Sequence, residues 1–282
     1  MKIRGGTATA VLVALVIAGC AAKTPEEQAA SATDEARAAL ASVTPTVAVQ
    51  PQPAVLTSNP LYRTGRVAPA GCTMPGYAIT SLSTARDFYT DLLRCLNKAW
   101  APVVRAAGSA FQPPKLVVTR GRAASSPCTF PDGLAYYCDR TIYMDADADL
   151  SVKGLFPGVQ DVWMAFNFGH EYAHHVQALT GILQAKEQRR STLGDPETAR
   201  EDTRRTELQA SCLSGVYFGA DAASIPVTAG WRSVYRSIFA NSVDRAGDHG
   251  NKENQERWAT AGLNAADPSA CNTFTATPAE VS

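Results

Sequence analysis

The segment from His170 to His174 constrains this chain more than any other part of its sequence. Its residues read His-Glu-Tyr-Ala-His, and only four histidines occur among the 282 residues. On an α-helix, two residues four positions apart lie about 40° apart around the axis and one turn along it. Both imidazoles can therefore reach one metal ion, while Glu171 points to the side. The segment predicts a helix that carries two metal ligands.

A helical wheel argues against the alternative that these histidines are ordinary core residues. The apolar residues of this stretch share one arc: Val162, Ala165, Ala173, Val176, Leu179 and Leu183. His170 and His174 fall roughly opposite the centre of that arc, which indicates that they face a polar cleft. His175 lies roughly 100° around the helix from His174, so we expect it to be a partly buried neighbour and not a ligand.

A third ligand is needed, because a catalytic zinc ion usually takes three protein ligands and keeps a fourth position for water. The best candidate is Glu207, on a helix that Asp195 as N-cap and Pro196 as first residue are expected to begin. The competing acids belong to the charged run 186–205, which carries charge on every face and is typical of a solvated helix surface. Glu207 instead opens the apolar half of its helix, so we expect it to complete the site.

The N-terminus predicts export. Lys2 and Arg4 precede the apolar residues 11–17, a stretch too short to span a bilayer as a finished helix, so residues 1–19 are interpreted as a signal peptide. Residues 17–20 read Ile-Ala-Gly-Cys and resemble the bacterial lipobox, whose cysteine receives a diacylglycerol. The alternative is an ordinary signal peptide with an incidental cysteine. The lipobox interpretation predicts a secreted protein that Cys20 anchors to the bacterial cell membrane, facing the extracytoplasmic side.

Composition divides the rest of the chain into a tether and a domain. Residues 20–59 are rich in alanine, threonine, glutamine and proline and predict a lipidated tether without a core of its own. Residues 60–282 are expected to form the folded domain, because hydrophobic residues make up 45% of the chain. The 26 basic and 26 acidic side chains cancel, so charge does not favour a nucleic-acid partner.

The order of predicted elements indicates an α+β domain. Apolar residues recur every four positions from Phe88 to Val104, which predicts an amphipathic helix that is kinked or ended near Pro102. The short β-branched and aromatic runs at 115–119 and 141–145 predict strands. Helices are then expected at about 160–184, 196–218, 227–241 and 251–263. This order favours a small antiparallel or mixed sheet and a mostly helical C-terminal half.

Six cysteines remain after Cys20, and in an oxidising compartment three disulfides are their simplest arrangement. Cys128 and Cys138 enclose a Pro-Asp-Gly turn that brings them together, so this pair is the most strongly favoured. Six cysteines allow fifteen connectivities. Pairing neighbours in sequence gives the other two pairs, Cys72 with Cys95 and Cys212 with Cys271.

Several separated motifs together carry a family resemblance. Residues 170–177 read His-Glu-Tyr-Ala-His-His-Val-Gln, and residues 207–212 read Glu-Leu-Gln-Ala-Ser-Cys. Further matching segments lie at residues 137–139, 142–145, 248–250, 257–258 and 271–274. In this order the motifs resemble those of the bacterial neutral zinc metallopeptidase family, a group allied to the gluzincins. The resemblance covers about residues 70 to 274.

The resemblance implies a zincin-like fold and a catalytic zinc site. It places the metal on His170, His174 and Glu207, with Glu171 as the general base that accepts a proton from the attacking water. It also implies that residues 141–145 form the edge strand along which an extended peptide lies. The expected partner is therefore a peptide or protein substrate.

Two positions depart from the family pattern, and one further histidine has an open role. Ala173 replaces a glycine, which favours the helix. Ser211 replaces an aspartate that orients a zinc histidine in such peptidases, and losing such a partner costs about 10- to 100-fold in affinity or activity. His249 is interpreted either as a donor to the reacting oxyanion or as a turn residue, with Tyr136, Tyr137 and Tyr143 as lesser candidates for the donor.

These features predict a zinc-dependent endopeptidase anchored to the cell envelope. The alternative, which Ser211 favours, is a zinc-binding but catalytically weak or inactive envelope lipoprotein that acts as a binding or assembly factor. A third interpretation is a disulfide-rich lipoprotein domain without a metal.

Overall fold

The computed structural model describes residues 51–74, 76, 78–121, 126–128, 135–155, 159–244 and 246–282. For residues 153–155 it describes the backbone alone. The predicted signal peptide, Cys20 and the tether as far as residue 50 lie outside the described residues, as does the turn at 131–133. Among the described residues, no helix is both long and apolar enough to cross a bilayer.

Helices make up most of the described chain. The eight α-helices among these residues are α1 (Ala54–Thr57), α2 (Leu82–Ala106), α3 (Ala146–Leu155), α4 (Gln160–Leu179), α5 (Ile182–Arg190), α6 (Pro196–Ala220), α7 (Ala229–Ala240) and α8 (Lys252–Ala265). The 3-10 helices are Pro60–Arg63, Pro268–Cys271, Thr273–Thr275 and Pro278–Glu280. The predicted α+β class with a mostly helical C-terminal half is confirmed.

The sheet has three strands, β1 (Lys115–Thr119), β2 (Ala135–Cys138) and β3 (Thr141–Asp145), in the order β1-β3-β2. β1 runs parallel to β3, and β2 runs antiparallel to β3, so the sheet is mixed. The two strands expected at 115–119 and 141–145 are confirmed, whereas β2 was not predicted. The expectation that residues 141–145 form the peptide-binding edge is wrong, because β3 is the central strand and hydrogen-bonds to a strand on both sides.

Helix α2 packs the apolar face that its sequence predicts. Phe88, Leu96 and Val104 are fully buried along it. The helix begins at a capping box between Ser81 and Thr84 and continues past Pro102 to Ala106. Proline therefore does not end this helix.

Helices α6 and α8 approach each other unusually closely, because each presents glycine to the other. A Cβ atom at Gly215 or Gly219 of α6 would collide with backbone atoms of α8, and one at Gly262 of α8 would collide with the carbonyl oxygen of Cys212. The close packing fixes α6, which also packs against α4. Helices α4 and α6 carry the residues of the predicted metal site.

The cysteines pair as the sequence analysis favoured. The structure joins Cys72 to Cys95, Cys128 to Cys138, and Cys212 to Cys271. The last of these disulfides links α6 to the 3-10 helix that follows α8, so it holds the C-terminal segment against the helix that carries Glu207.

Residues 51–59, which the sequence analysis placed in the tether, pack against the domain. Leu56 is fully buried, and Asn59 donates hydrogen bonds from its side chain to the carbonyl oxygens of Val55 and Thr180. Gln52 donates to Asp202, which also forms a buried ion pair with a neighbouring arginine. The described residues from Pro51 onward accordingly belong to one compact unit.

Candidate metal centre

Helix α4 presents the His-Glu-Tyr-Ala-His segment in its second half, where almost every side chain is buried. The side chains of His170 and His174 are 10% and 12% exposed. Glu171 lies between them in sequence and is buried. Both imidazoles therefore sit in a pocket with little access to solvent, and not on an open polar face.

Glu207 on helix α6 meets both histidines. One of its carboxylate oxygens, Oε2, lies 3.1 Å from Nε2 of His170 and 3.1 Å from Nε2 of His174. The helix begins as the sequence predicts, because the side chain of Asp195 accepts hydrogen bonds from the backbone N–H groups of Glu197 and Thr198. The structure thus brings the three expected ligands together.

The donor types, and the two distances from Glu207 to the histidine nitrogens, fit a zinc ion. Zinc binds imidazole nitrogen and carboxylate oxygen at about 2.0–2.2 Å in tetrahedral geometry, which places neighbouring ligand atoms about 3.3 Å apart. The distances of 3.1 Å from the Glu207 oxygen to the two histidine nitrogens are close to that spacing. Two neutral imidazoles and one carboxylate are also a donor set that leaves a coordination position open. This chemistry supports a catalytic and not a purely structural type of site.

Each metal histidine has a second hydrogen-bond partner at Nδ1. Ser211 Oγ lies 3.1 Å from Nδ1 of His170, and Gln177 Oε1 lies 2.8 Å from Nδ1 of His174. Because an amide oxygen only accepts, the His174 ring carries hydrogen on Nδ1 and directs Nε2 toward Glu207. The sequence analysis placed Ser211 in this role and gave none to Gln177. The i, i+3 spacing of Gln177 from His174 was the signal that could have identified it.

Gln177 is itself held in place by buried partners. Its amide nitrogen donates to the carbonyl oxygen of Thr206 at 2.9 Å and to Oε1 of Gln209 at 3.0 Å. Gln209 in turn donates to the hydroxyl of Tyr62 and to the carbonyl oxygen of Cys271. These bonds fix which end of the Gln177 amide faces His174.

The charges of the metal-free site depend on one another. Burial alone would raise the pKa of Glu207, but the adjacent His174 and His170 hold it well below its usual value. Burial lowers the pKa of His174, but the Glu207 carboxylate outweighs that effect and raises it to about 9. A proton on the His174 imidazole thus balances the Glu207 carboxylate in the metal-free protein. Metal binding must displace that proton.

The pKa of Glu171 is shifted in the opposite direction from that of Glu207. Burial raises the pKa of its carboxyl above the ordinary value, while the neighbouring His170 and His174 oppose that rise. A carboxylate whose pKa is raised toward neutrality is a better acceptor for a proton at neutral pH than an exposed one. This property suits the base predicted at this position.

His249 approaches the same carboxylate from the loop between α7 and α8. Its Nε2 lies 3.6 Å from Oε2 of Glu207, and its ring is half-exposed. Its Nδ1 lies 2.6 Å from Oδ1 of Asp248. Burial lowers the pKa of His249, but the bond to Asp248 together with the charges of Glu207, Asp248 and Asp244 raises it to about 9. Asp244 holds the loop, because its carboxylate accepts from the backbone N–H groups of Gly247, Asp248 and His249. The sequence analysis missed both aspartates.

Among the described residues, two groups of possible ligand atoms lie within 4.8 Å of one another; one is His170, Glu207 and His249, and neither includes His174, so mutual distance alone favours His249 as the third ligand. We favour His174, because its Nε2 is 3.1 Å from Glu207 whereas that of His249 is 3.6 Å away. His174 is also more deeply buried, and Gln177 orients its ring toward the site. His249 is then left to face a bound substrate.

The other candidate residues lie outside this cluster. His175 is fully buried, and its ring nitrogens lie 3.1 Å from the hydroxyl of Tyr137 and 2.7 Å from the carbonyl oxygen of Gln112. Tyr136 stacks on Tyr143 across strands β2 and β3, with ring centroids 4.7 Å apart. Of the proposed oxyanion donors, His249 is the one that the structure places beside Glu207.

A cleft of 230 Å³ opens at the cluster. Its walls are Ala135, Phe166, Asn167, His170, Glu171, Ser211, His249 and Gln255. The cleft therefore joins the first residue of strand β2 to one proposed metal ligand, His170, to the candidate base and to the loop histidine. A substrate in it would contact all of these groups.

Comparisons with known proteins agree with this geometry. The chain is 26% identical over 207 residues to Uncharacterized protein YpfJ of Escherichia coli strain K12, covering 67% of this chain and 71% of that protein. It is 24% identical over 262 residues to Uncharacterized protein Mb2605 of Mycobacterium bovis and to Uncharacterized protein Rv2575 of Mycobacterium tuberculosis strain H37Rv. Each of these alignments covers 79% of this chain and 82% of the relative. No solved structure matches the chain with significance.

The family comparison covers the expected metal ligands and the candidate base. A family model described as "Putative neutral zinc metallopeptidase" matches residues 65–230, which is more than half of the chain. The matched range contains His170, Glu171, His174 and Glu207, and it ends before His249. The chain belongs to this neutral zinc metallopeptidase family.

Proposed function

We propose that this protein is a zinc-dependent endopeptidase of the bacterial cell envelope. The observation that carries the proposal is the contact of one Glu207 oxygen with Nε2 of both His170 and His174, at 3.1 Å each. The buried carboxyl of Glu171 lines the cleft beside them. Two neutral ligands, one anionic ligand and a neighbouring base are the groups that hydrolysis of an amide bond needs.

The residues divide the chemistry among them. His170, His174 and Glu207 would hold a zinc ion, which supplies a Lewis acid for a carbonyl group and lowers the pKa of water. The carboxylate of Glu171 accepts a proton from the attacking water and delivers it to the leaving amine nitrogen. The Nε2 hydrogen of His249 donates to the carbonyl oxygen as negative charge develops there.

Strand β2 is the element best placed to bind the peptide backbone. It pairs with β3 on one side, and no other described strand pairs with its opposite side. Ala135, its first residue, lines the cleft together with Glu171. An extended peptide that adds to this edge would gain main-chain hydrogen bonds and pass beside the base. β2 thus takes the role that the sequence analysis gave to residues 141–145.

The test measures zinc content and peptide cleavage separately. The purified chain should contain one zinc ion and cleave unstructured peptides, and a chelator should stop the cleavage. Glu171→Gln should retain the zinc and lose at least about 100-fold in rate, the usual contribution of a general base. Glu187→Gln, at an exposed position of α5, is the matched control. Unchanged cleavage by Glu171→Gln would contradict this mechanism.

We further propose that Cys20 anchors the protein to the membrane on its extracytoplasmic side. The support is the Ile-Ala-Gly-Cys segment that follows the apolar residues 11–17. The full chain should fractionate with membranes in the bacterium, and Cys20→Ala should not. A Cys20→Ala variant that stays membrane-bound would overturn the lipid anchor.

Ser211 favours a second candidate function, a zinc-binding envelope lipoprotein that acts as a binding or assembly factor with weak catalysis. Its hydroxyl stands beside His170 where relatives of this kind carry a carboxylate, so the histidine has a neutral partner. Ser211→Asp separates the two functions. A large gain from almost no activity would favour the binding protein, whereas little change from a measurable rate would favour the enzyme.

A further inference from the structure

A second cavity adjoins the cleft of the metal centre. Its volume is 630 Å³, within the range of binding pockets for small molecules. It lies between the N-terminal half of α4, the C-terminal end of α7 and residues 242–243. Phe166, Asn167 and Gln255 line both cavities, so the two are adjacent.

The walls of this cavity are apolar or uncharged. None of the described residues that line it carries a charge, and its apolar lining residues are Val152, Val159, Trp163, Phe166, Ile238, Phe239 and Val243. Moving a charged group out of water into such a site costs free energy that no partner here would offset. The lining therefore selects an apolar occupant.

The rim of the cavity carries an exposed apolar side chain. Val243 is 73% exposed, and it and Val55 are the large apolar side chains that stand exposed among the described residues. Val243 is one of the residues that line this cavity. An apolar group bound in the cavity would cover this valine.

Asn167 stands where the two cavities meet. Its Nδ2 is buried and has no hydrogen-bond partner within the described part of the chain. A buried donor without a partner is costly in the free protein. A carbonyl oxygen of a bound peptide that passes from the cleft into the cavity would satisfy it.

We propose that this cavity is the specificity pocket of the proposed peptidase and that it takes a large apolar side chain, aromatic or branched aliphatic, next to the scissile bond. This inference rests on the proposed function, because it assigns the substrate class of the same site. Phe166 lies one helical turn before His170, with ring centroids 6.0 Å apart, so a side chain in the cavity lies close to the metal residues. The substrate is thus an extended peptide with a bulky apolar residue at one position beside the cleaved bond.

The test uses binding of zinc-directed probes to the zinc-loaded protein, so it does not depend on turnover. Three succinyl hydroxamates that differ only in one substituent, hydrogen, methyl or benzyl, are titrated by calorimetry. The benzyl probe should bind at least about tenfold more tightly than the methyl probe, as expected for burial of an aromatic side chain. Equal affinities of the three probes would overturn the pocket. No binding of any probe would overturn both the pocket and the proposed metal site.

Three variants test whether the preference for the benzyl probe arises in this cavity. Ser237→Phe places a ring inside the cavity and should remove most of the difference between the benzyl and hydrogen probes. Arg236→Phe adds the same ring at the next, exposed position of α7 and should preserve the difference. Val243→Asp, at an exposed position where misfolding is not expected, should lower the benzyl preference by placing a carboxylate at the mouth. A benzyl preference that survives both Ser237→Phe and Val243→Asp would contradict the assignment.

Discussion

The hydroxyl oxygen of Ser211 lies 3.1 Å from Nδ1 of His170, one helical turn after Glu207 on helix α6. The same helix therefore supplies one ligand and the group that orients another. A hydroxyl can donate or accept, whereas a carboxylate only accepts. The bond consequently orients the ring without adding negative charge to it.

Removal of this hydroxyl should weaken zinc binding. Ser211→Ala leaves Nδ1 of His170 without its partner, and losses of this kind typically cost about 10- to 100-fold in metal affinity. We expect the lower end of this range, because the missing partner is neutral. Competition with a chromophoric chelator measures the affinity, and Ser151→Ala, on the exposed side of α3, is the control. Equal zinc affinity in Ser211→Ala and the wild type would show that the hydroxyl does not support the metal.

Replacement of Gln177 should lower zinc affinity more than replacement of Ser211. In Gln177→Leu, His174 loses its acceptor, and the buried carbonyl oxygen of Thr206 loses a donor. We expect zinc affinity to fall about 10- to 100-fold. Gln184→Leu, at an exposed position of α5, should leave zinc affinity unchanged. If both leucine variants bind zinc like the wild type, Gln177 does not orient His174.

Local spacing explains how much of this site could be predicted. His170 and His174 belong to one helix, and the apolar half-helix after Glu207 can be identified without knowledge of its neighbours. Asp244 acts through hydrogen bonds to three backbone N–H groups of its own loop, which no periodicity reveals. Asp248 differs, because its position next to His249 was a signal that could have been used.

Non-local pairing explains what the sequence could not predict about the sheet. The central position of β3 follows from its pairing with β1, 26 residues earlier in register, and with β2. Strand order is a property of such pairings and not of the 141–145 segment. The short β2 carries tyrosines whose pattern alone does not separate a strand from a turn. Similarly, Leu56 stands in the short run Ala54-Val55-Leu56 between prolines, which is too short for a periodicity to indicate that Leu56 is buried.

The metal-free protein should lose stability as the pH rises from neutrality. The pKa of His174 is raised from its ordinary 6.5 to about 9, so the folded state holds this proton more tightly than the unfolded chain. Its stabilisation is complete below 6.5 and is lost as the pH rises through 9. Glu207 acts in the other direction: its lowered pKa stabilises the fold above its ordinary 4.5, and that contribution is lost in acid.

Thermal melting in the presence of a chelator, at pH values on both sides of 6.5 and of 9, measures this effect. We expect the melting temperature of the metal-free protein to fall across that interval. Zinc replaces the proton on His174, so the loaded protein should not show the same decrease, and its apparent zinc affinity should rise with pH. A metal-free melting temperature that is constant from 6.5 to 9 would contradict the coupling of His174 to Glu207.

The close contact of α6 with α8 should link stability to metal binding. In Gly262→Ala, the added methyl group meets the backbone of Cys212, which cannot move as a flexible side chain could. Overpacking of this kind typically costs about 1–3 kcal/mol in free energy of unfolding. Because Cys212 lies five residues after Glu207 on the same helix, displacement of α6 would also move a ligand. Zinc affinity should therefore fall together with stability.

Gly230→Ala is the matched control for this change. A Cβ atom at Gly230 makes only an ordinary contact with the side chain of Thr228, and the residue lies in the first turn of α7. Alanine also has the higher helix propensity, so this variant should be neutral or slightly more stable. Urea unfolding and zinc competition, applied to both variants, distinguish an effect of helix packing from a general effect of replacing glycine. A Gly262→Ala variant as stable as Gly230→Ala would show that α6 and α8 can separate without cost, and Glu207 would then need another support.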